Sequence, residues 1–134
     1  MIFKKYYKTL SVFLLIIVLC FLPGNTANKL TFFDFPHFDK LVHFGMYFLF
    51  SFAVFLDLKT NTRIQKKQIL LIILLLTLFI GGSIEIIQNY FIPQRFGDWF
   101  DLLADFFGSL VFIAGFFVNK NRFKVKIFNK NDKE

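Results

Sequence analysis

Four long apolar segments constrain this chain more than any other feature of its sequence. They cover about residues 7–22, 41–58, 69–92 and 99–118. A helix rises about 1.5 Å per residue, so segments of about 17–25 residues match a hydrocarbon core of about 30 Å. A soluble bundle would show amphipathic stripes, whereas residues 70–80 are apolar on all sides. The sequence predicts an all-α integral membrane bundle of four transmembrane helices in one domain, residues 1–119, followed by a basic tail, residues 120–134.

Charge gives the expected orientation of these helices. The net charge of +7 would indicate nucleic acid in a soluble protein, but here the positive charges fall between apolar segments, and no nucleic-acid partner is expected. Thirteen Lys and Arg residues lie in 4–8, 59–67 and 120–133, and the other side holds only Lys29, Lys40 and Arg95. The positive-inside rule therefore predicts that both termini are cytoplasmic.

The first apolar segment has two interpretations. Basic residues precede it and small residues follow it near residues 25–27, which is the pattern of a signal peptide. The alternative is a retained helix, which we prefer. Removal of this segment would leave three spans with the basic tail still cytoplasmic.

Four ionisable residues within the apolar segments stand out, namely His43, Glu85, Asp101 and Asp105. Such groups are costly in hydrocarbon and are usually functional. With the orientation above, Glu85 and Asp105 both lie about 10 Å below the outer surface. We therefore expect these side chains to face one another in the outer third of the bilayer.

Helical spacing adds neighbours to this group. Asp39, His43 and Tyr47 are four apart, and Gln88 is three residues after Glu85. Arg95, in the tight connection before the fourth segment, would cover the group and pair with one carboxylate. The predicted polar pocket is lined by Asp39, His43, Tyr47, Glu85, Gln88, Arg95, Asp101 and Asp105.

Simpler roles are open for some of these residues. Asp39 and Asp98 fit helix N-caps as well as they fit a site. Gln88 fits an interhelical hydrogen bond, and Gly108 fits a close approach between two helices. For His43, Glu85 and Asp105 we favour a functional role.

The sequence lacks the motifs of several familiar catalytic and binding chemistries. The chain has no glycine-rich phosphate loop, no zinc-type His/Cys spacing and no Ser with a supporting base motif. Carboxylates outnumber cations in the predicted pocket, which indicates that the site keeps a proton or binds a cation. Paired carboxylates suit acid–base work or a bound divalent cation, but their spacing does not assign a metal. No cofactor is expected.

The same residues resemble a known family. Residues 39–47, Asp-Lys-Leu-Val-His-Phe-Gly-Met-Tyr, are similar to the opening motif of the VanZ-like membrane proteins. Glu85 with Gln88, then Arg95, Asp101 and Gly108, resembles the closing motif of that family, and Asp105 departs from it because Asn is more usual there. The resemblance covers residues 39–108. It implies a multi-pass protein of the bacterial inner (cytoplasmic) membrane and a link to resistance to the glycopeptide teicoplanin.

The leading functional hypothesis is a cell-envelope binding protein rather than an enzyme. Its outward-facing pocket would engage membrane lipid, a lipid-linked envelope precursor or another headgroup-bearing ligand, with a divalent cation as a further partner. In this hypothesis Arg95 and His43 bind anionic groups such as phosphate. The alternatives are an intramembrane enzyme that acts on a lipid-linked substrate and a small ion- or proton-coupled transporter. The sequence sets no oligomeric state.

Overall fold

Four helices form the part of the chain that the structure, a computed structural model, describes: residues 4–23, 37–93 and 95–118. They are α1 (Tyr7–Cys20), α2 (Phe38–Asn61), α3 (Lys66–Phe91) and α4 (Trp99–Val118). The prediction of an all-helical fold is confirmed for these residues. The predicted basic tail, residues 120–134, lies outside the described residues.

Three of the four helices have the length and composition of membrane spans. α2, α3 and α4 are long and apolar enough to cross a bilayer, which indicates a multi-pass membrane protein. α1 has 14 residues and therefore a length of about 21 Å, which is less than the hydrocarbon thickness. The predicted first segment, residues 7–22, is correspondingly longer than the helix found.

Two helices extend beyond the predicted segments. α2 adds three residues at each end of the predicted 41–58, and α3 begins three residues before 69. The added residues include Asp39, Lys59 and Lys66. Polar residues interrupt the apolar pattern at these positions, but the helical backbone hydrogen bonds continue. The apolar pattern therefore underestimates the lengths of both helices.

The first residues of α2, α3 and α4 differ in how the helix is capped. Gln65 and Gln68 form a capping box at the start of α3, where the Gln65 N–H donates to Gln68 Oε1 at 3.1 Å. Asp98 caps α4, because its Oδ1 accepts from the Phe100 N–H at 2.9 Å. The N-cap position of α2 is His37, with φ of 66°, so Asp39 lies in the first turn and does not cap the helix.

Contacts at the two ends of the bundle show that consecutive helices run in opposite directions. At one end, Asp57 of α2 contacts Thr9 of α1. At the other end, Lys40 of α2 contacts Asp101 of α4, and Gln88 of α3 contacts the Cys20 carbonyl of α1. α2 packs against each of the other three helices, and most extensively against α4.

The α2–α4 interface depends on one glycine. A Cβ atom at Gly108 would overlap the carbonyl oxygen of Phe44, so only glycine allows this approach. The predicted close-packing role of Gly108 is therefore confirmed. Further along the same interface, the Phe55 ring packs against those of Phe112 and Phe116, with centroids 5.8 and 4.7 Å apart.

The outer surface of the bundle is apolar. Leu71, Leu75 and Phe79 on α3 and Phe107 on α4 are all more than half exposed, and Phe79 is 74% exposed. In water such a surface would be a large association site, whereas lipid tails cover it without cost. The bundle thus places apolar groups outside and buries polar groups inside, as a membrane environment requires.

Candidate functional site

A group of polar side chains fills one end of the bundle, where α2 and α4 begin and α3 ends. We call it the polar cluster and define it as Lys40, His43, Tyr47, Glu85, Asp98, Asp101 and Asp105. Its members come from three helices and from the connection before α4. The sequence predicts a convergence of polar residues from helix spacing and depth, and of the predicted residues the structure brings His43, Glu85 and Asp105 within 4.8 Å of one another.

Lys40 forms the outer layer of the cluster. Its Nζ lies 2.7 Å from Asp98 Oδ2 and 3.0 Å from Asp101 Oδ1, and more weakly contacts Asp39 Oδ2 at 3.4 Å. The Lys40 hydrogen bond holds the pKa of Asp98, which lies outside the spanning segments, below its usual range. The Lys40 ammonium group thereby pairs with the N-cap residue of α4, Asp98, and with Asp101 in its first turn.

His43 and Asp105 form the next layer, one turn deeper. His43 Nδ1 lies 3.0 Å from Asp105 Oδ1, and the two residues are only 3% and 0% exposed. Asp105 Oδ2 has no hydrogen-bond partner among the described residues. Leaving a buried acceptor unpaired costs about 1–3 kcal/mol, so this oxygen calls for an explanation.

Glu85 reaches the cluster from α3. Its Oε2 accepts from the Asp98 N–H at 2.7 Å, which ties the end of α3 to the start of α4. Its Oε1 is buried and has no partner in the described part of the chain. A Cβ atom at Gly97 would lie 2.6 Å from the Glu85 carbonyl oxygen, so the connection must pass very close to α3. Glu85 is therefore held at one oxygen, while the other is buried and unpaired within the described residues.

Tyr47 and Gly81 close the inner side of the cluster. Tyr47 is fully buried, and its hydroxyl has no partner within the described ranges. A Cβ atom at Gly81 would lie 2.7 Å from Asp105 Oδ2 and 3.5 Å from the Tyr47 hydroxyl. The bare backbone of α3 at Gly81 leaves just enough space for these two polar groups.

Below the cluster, three hydroxyl groups connect the helices. Ser51 Oγ lies 2.7 Å from the Tyr47 carbonyl oxygen and 2.8 Å from Ser109 Oγ, and Thr77 Oγ1 lies 2.7 Å from Ser109 Oγ. All three residues are fully buried. The α2–α4 interface is thus polar at successive turns, with the pairs Lys40–Asp101, His43–Asp105 and Ser51–Ser109.

Three of the predicted pocket residues lie outside the polar cluster. Gln88 donates to the Cys20 carbonyl at 2.8 Å, as the interhelical alternative expects. Arg95 Nε donates to the Leu22 carbonyl at 3.3 Å, rather than to a carboxylate. The side chain of Asp39 is 51% exposed, so it lies at the rim of the cluster.

A small cavity leads to Glu85 from the end of the bundle. It has a volume of about 220 Å³ and is lined by Glu85, Ile86, Asn89, Tyr90, Gly97 and Trp99. Tyr90 and Trp99 are 74% and 69% exposed, as aromatic side chains at a membrane–water interface are. The cavity gives a route between the interface and the buried acid.

Two features of the structure were missed by the sequence reasoning. Lys40 enters that reasoning only in the charge count and through the family resemblance, although its spacing of three from His43 parallels the spacing of four between Asp101 and Asp105. The second is Asp57, a fully buried acid at the opposite end of the bundle. Nothing local distinguishes Asp57 from an ordinary polar residue at a helix end.

The chemistry of the cluster follows from its charges. Four carboxylates face one lysine and one histidine, and Lys40 is already bonded to two of the four. His43, Glu85 and Asp105 each offer a metal-ligand atom, and these atoms lie within 4.8 Å of one another. The arrangement can therefore accept protons, hydrogen-bond donors or a cation.

Comparison of the chain with protein-family models, with curated proteins and with solved structures finds no match in any of the three.

Proposed function

We propose that this chain is a VanZ-like protein of the bacterial inner membrane that binds a headgroup-bearing or lipid-linked envelope ligand in an outward-facing polar pocket. The cavity beside Glu85 is the entrance to that pocket. The proposal combines the motif resemblance at residues 39–108 with the buried polar cluster. The chain is a binding protein in this proposal, and teicoplanin sensitivity is the phenotype with which to examine it.

The proposed orientation rests on charge and helix direction. α1 runs antiparallel to α2, so its start lies at the same end as the α2–α3 connection, where Lys59, Arg63, Lys66 and Lys67 are found. The positive-inside rule assigns that end to the cytoplasm. The polar cluster would then face the outer leaflet, with four helices crossing or entering the membrane and both termini cytoplasmic.

One observation carries the proposal: Glu85 is 3% exposed, lines the cavity and leaves Oε1 without a partner among the described residues. A ligand group that donates a hydrogen bond or carries a positive charge would satisfy this oxygen. Complete pockets for drug-sized ligands have volumes of about 300–1,000 Å³, so 220 Å³ suits only a small part of a ligand, such as a headgroup.

The contacts of the basic residues refine the class of ligand. His43 is bonded to Asp105 and Arg95 to the Leu22 carbonyl, whereas a carboxylate lines the cavity. This favours a headgroup with hydroxyl or ammonium donors over a bare phosphate. The acyl chains of the same ligand would remain in the bilayer beside α3 and α4.

Filling the cavity provides the direct test. Asn89→Phe places a ring in the cavity without replacing any carboxylate. We expect the purified variant to retain about tenfold less of the lipid that co-purifies with the wild-type protein, as quantified by mass spectrometry after delipidation washes. Leu75→Phe is the matched control, since Leu75 lies on the same helix, 58% exposed and away from the cavity.

A second test, in cells, removes the negative charge of Glu85. In cells that lack the endogenous gene, Glu85→Gln expressed at the wild-type level should lose the effect of the wild-type protein on teicoplanin sensitivity. If Asn89→Phe retains the wild-type lipid and both Glu85→Gln and Asp105→Asn keep the wild-type sensitivity, the proposal is overturned.

A further inference from the structure

We propose that His43, Glu85 and Asp105 bind one divalent transition-metal ion, with Zn²⁺ as its probe. This inference deepens the proposed function, because Glu85 also lines the headgroup cavity. The ion would occupy Glu85 Oε1, and a hydroxyl oxygen of the headgroup would coordinate the ion instead of donating to that carboxylate. Four steps of physical reasoning support it.

The first step is convergence. The three residues come from α2, α3 and α4, and no two of them are neighbours in sequence. Each offers a ligand atom, and these atoms lie within 4.8 Å of one another. Two ligands about 2.1 Å from one ion and about 90° apart are about 3 Å from each other. His43 Nδ1 and Asp105 Oδ1 already have that separation, 3.0 Å, and a Glu85 ligand atom lies within 4.8 Å of ligand atoms of the other two residues.

The second step is the unpaired oxygens. Glu85 Oε1 and Asp105 Oδ2 are both buried and lack a partner among the described residues, and the residues are 3% and 0% exposed. Native proteins rarely leave two carboxylate oxygens of one site unsatisfied. A cation bound by Glu85 Oε1 and by both oxygens of Asp105 would satisfy the two unpaired atoms, and it would replace the His43–Asp105 hydrogen bond. Lys40 does not satisfy these atoms, because it is bonded to Asp98 and Asp101.

The third step is charge. Two carboxylates, a neutral imidazole and a divalent cation sum to zero, which suits a site buried among membrane helices. Without the ion, the same neutrality requires two additional protons distributed among Glu85, Asp105 and His43. The two occupants, a metal ion and bound protons, are therefore alternatives that an experiment can separate.

The fourth step is ligand type and support. One imidazole with two carboxylates suits Zn²⁺ or Mn²⁺, whereas Mg²⁺ and Ca²⁺ prefer oxygen ligands alone. The second oxygen of Glu85 is fixed by the Asp98 N–H at 2.7 Å, an outer contact of the kind that orients metal ligands. A Cβ atom at Gly81 would lie 2.7 Å from Asp105 Oδ2, so glycine at this position avoids a collision with that ligand.

The experiment uses the full-length protein in detergent micelles or nanodiscs, stripped with a chelator and then titrated with Zn²⁺ by calorimetry. We expect one ion per chain, and Co²⁺ in its place should give visible absorption bands typical of nitrogen and oxygen ligands. Asp105→Asn and His43→Gln should each weaken Zn²⁺ binding by about 100-fold or more, since even outer-contact changes cost about 10–100-fold.

The matched control is Asp57→Asn, a change at an equally buried acid at the other end of the bundle, which should leave Zn²⁺ affinity unchanged. Glu85→Asp keeps the charge, and it should bind Zn²⁺ more weakly but still at one equivalent. This variant covers the case in which a neutral variant fails to fold.

Two results would overturn the metal site. One is a folded, stripped wild-type protein that binds neither Zn²⁺ nor Co²⁺ at one equivalent, which would assign protons to the cluster. The other is binding that survives both Asp105→Asn and His43→Gln unchanged. Asn89→Phe separates the two proposals, because it blocks the headgroup cavity and should leave Zn²⁺ affinity intact.

Discussion

At the scale of single residues, Asp57 shows how one buried carboxylate positions a whole helix. Asp57 Oδ2 accepts from the Thr9 N–H and the Thr9 hydroxyl, both at 2.9 Å, and Oδ1 lies 3.3 Å from Lys8 Nζ. The acid thereby caps the first turn of α1, whose own N-cap residue, Tyr6, makes no side-chain bond. α1 is held at its start by α2.

Asp57→Ala should destabilise the protein by about 1–3 kcal/mol, because the donors of Thr9 lose a buried acceptor. Chemical unfolding of the detergent-solubilised protein measures this change. Asp39→Ala is the control, since that side chain is 51% exposed and its loss should cost less than about 0.5 kcal/mol. Equal effects of the two substitutions would show that Asp57 does not hold α1.

At the scale of helices, the α2–α4 contact depends on the absence of a side chain at Gly108. Gly108→Ala would force its Cβ into the Phe44 carbonyl, so the helices must separate, at a cost of about 1–3 kcal/mol. Gly115 on the same helix has nothing within 4 Å of a Cβ position. Gly115→Ala should therefore be neutral, or stabilising by up to about 1 kcal/mol through helix propensity.

Thermal unfolding of these two alanine variants in the same detergent gives the comparison. Because His43 and Asp105 lie one turn from the Gly108 contact, Gly108→Ala should also weaken binding at the polar cluster. A Gly108 variant as stable as the Gly115 variant would mean that α2 and α4 are not held at this distance.

At the scale of the whole molecule, the proposed orientation makes the two ends of the bundle distinguishable. Single cysteines are introduced in a Cys20→Ser background at Phe96, which is 83% exposed beside the cluster, or at Lys67, exposed at the opposite end. We expect a membrane-impermeant maleimide to label Phe96→Cys in intact cells and Lys67→Cys only after permeabilisation. The reverse pattern would place the polar cluster on the cytoplasmic side.

The sequence predicts the architecture better than the detailed contacts. Hydropathy locates three long helices, and spacing brings His43, Glu85 and Asp105 together, because period and depth are local properties of a helix. The hydrogen-bond partners of long side chains are not local properties of one helix. Lys40 bridges two acids at the start of α4, Asp98 and Asp101, and Arg95 reaches the Leu22 carbonyl just after α1 instead of a carboxylate. These contacts depend on how the helices pack, which the pattern of one segment does not contain.

The successive polar pairs between α2 and α4 also fix how far one helix can slide along the other. Lipid-embedded apolar helices gain little from any one alignment, since tails and side chains offer similar contacts. If α2 slid by one turn so that His43 lay opposite Asp101, Lys40 would lose its contact with Asp101. Asp105 would lose its hydrogen bond to the His43 imidazole. Ser51 would lose Ser109 in the same movement. Because the three polar pairs differ in chemistry, they specify one alignment of α2 with α4. A single polar residue sets the register of a coiled coil in the same way.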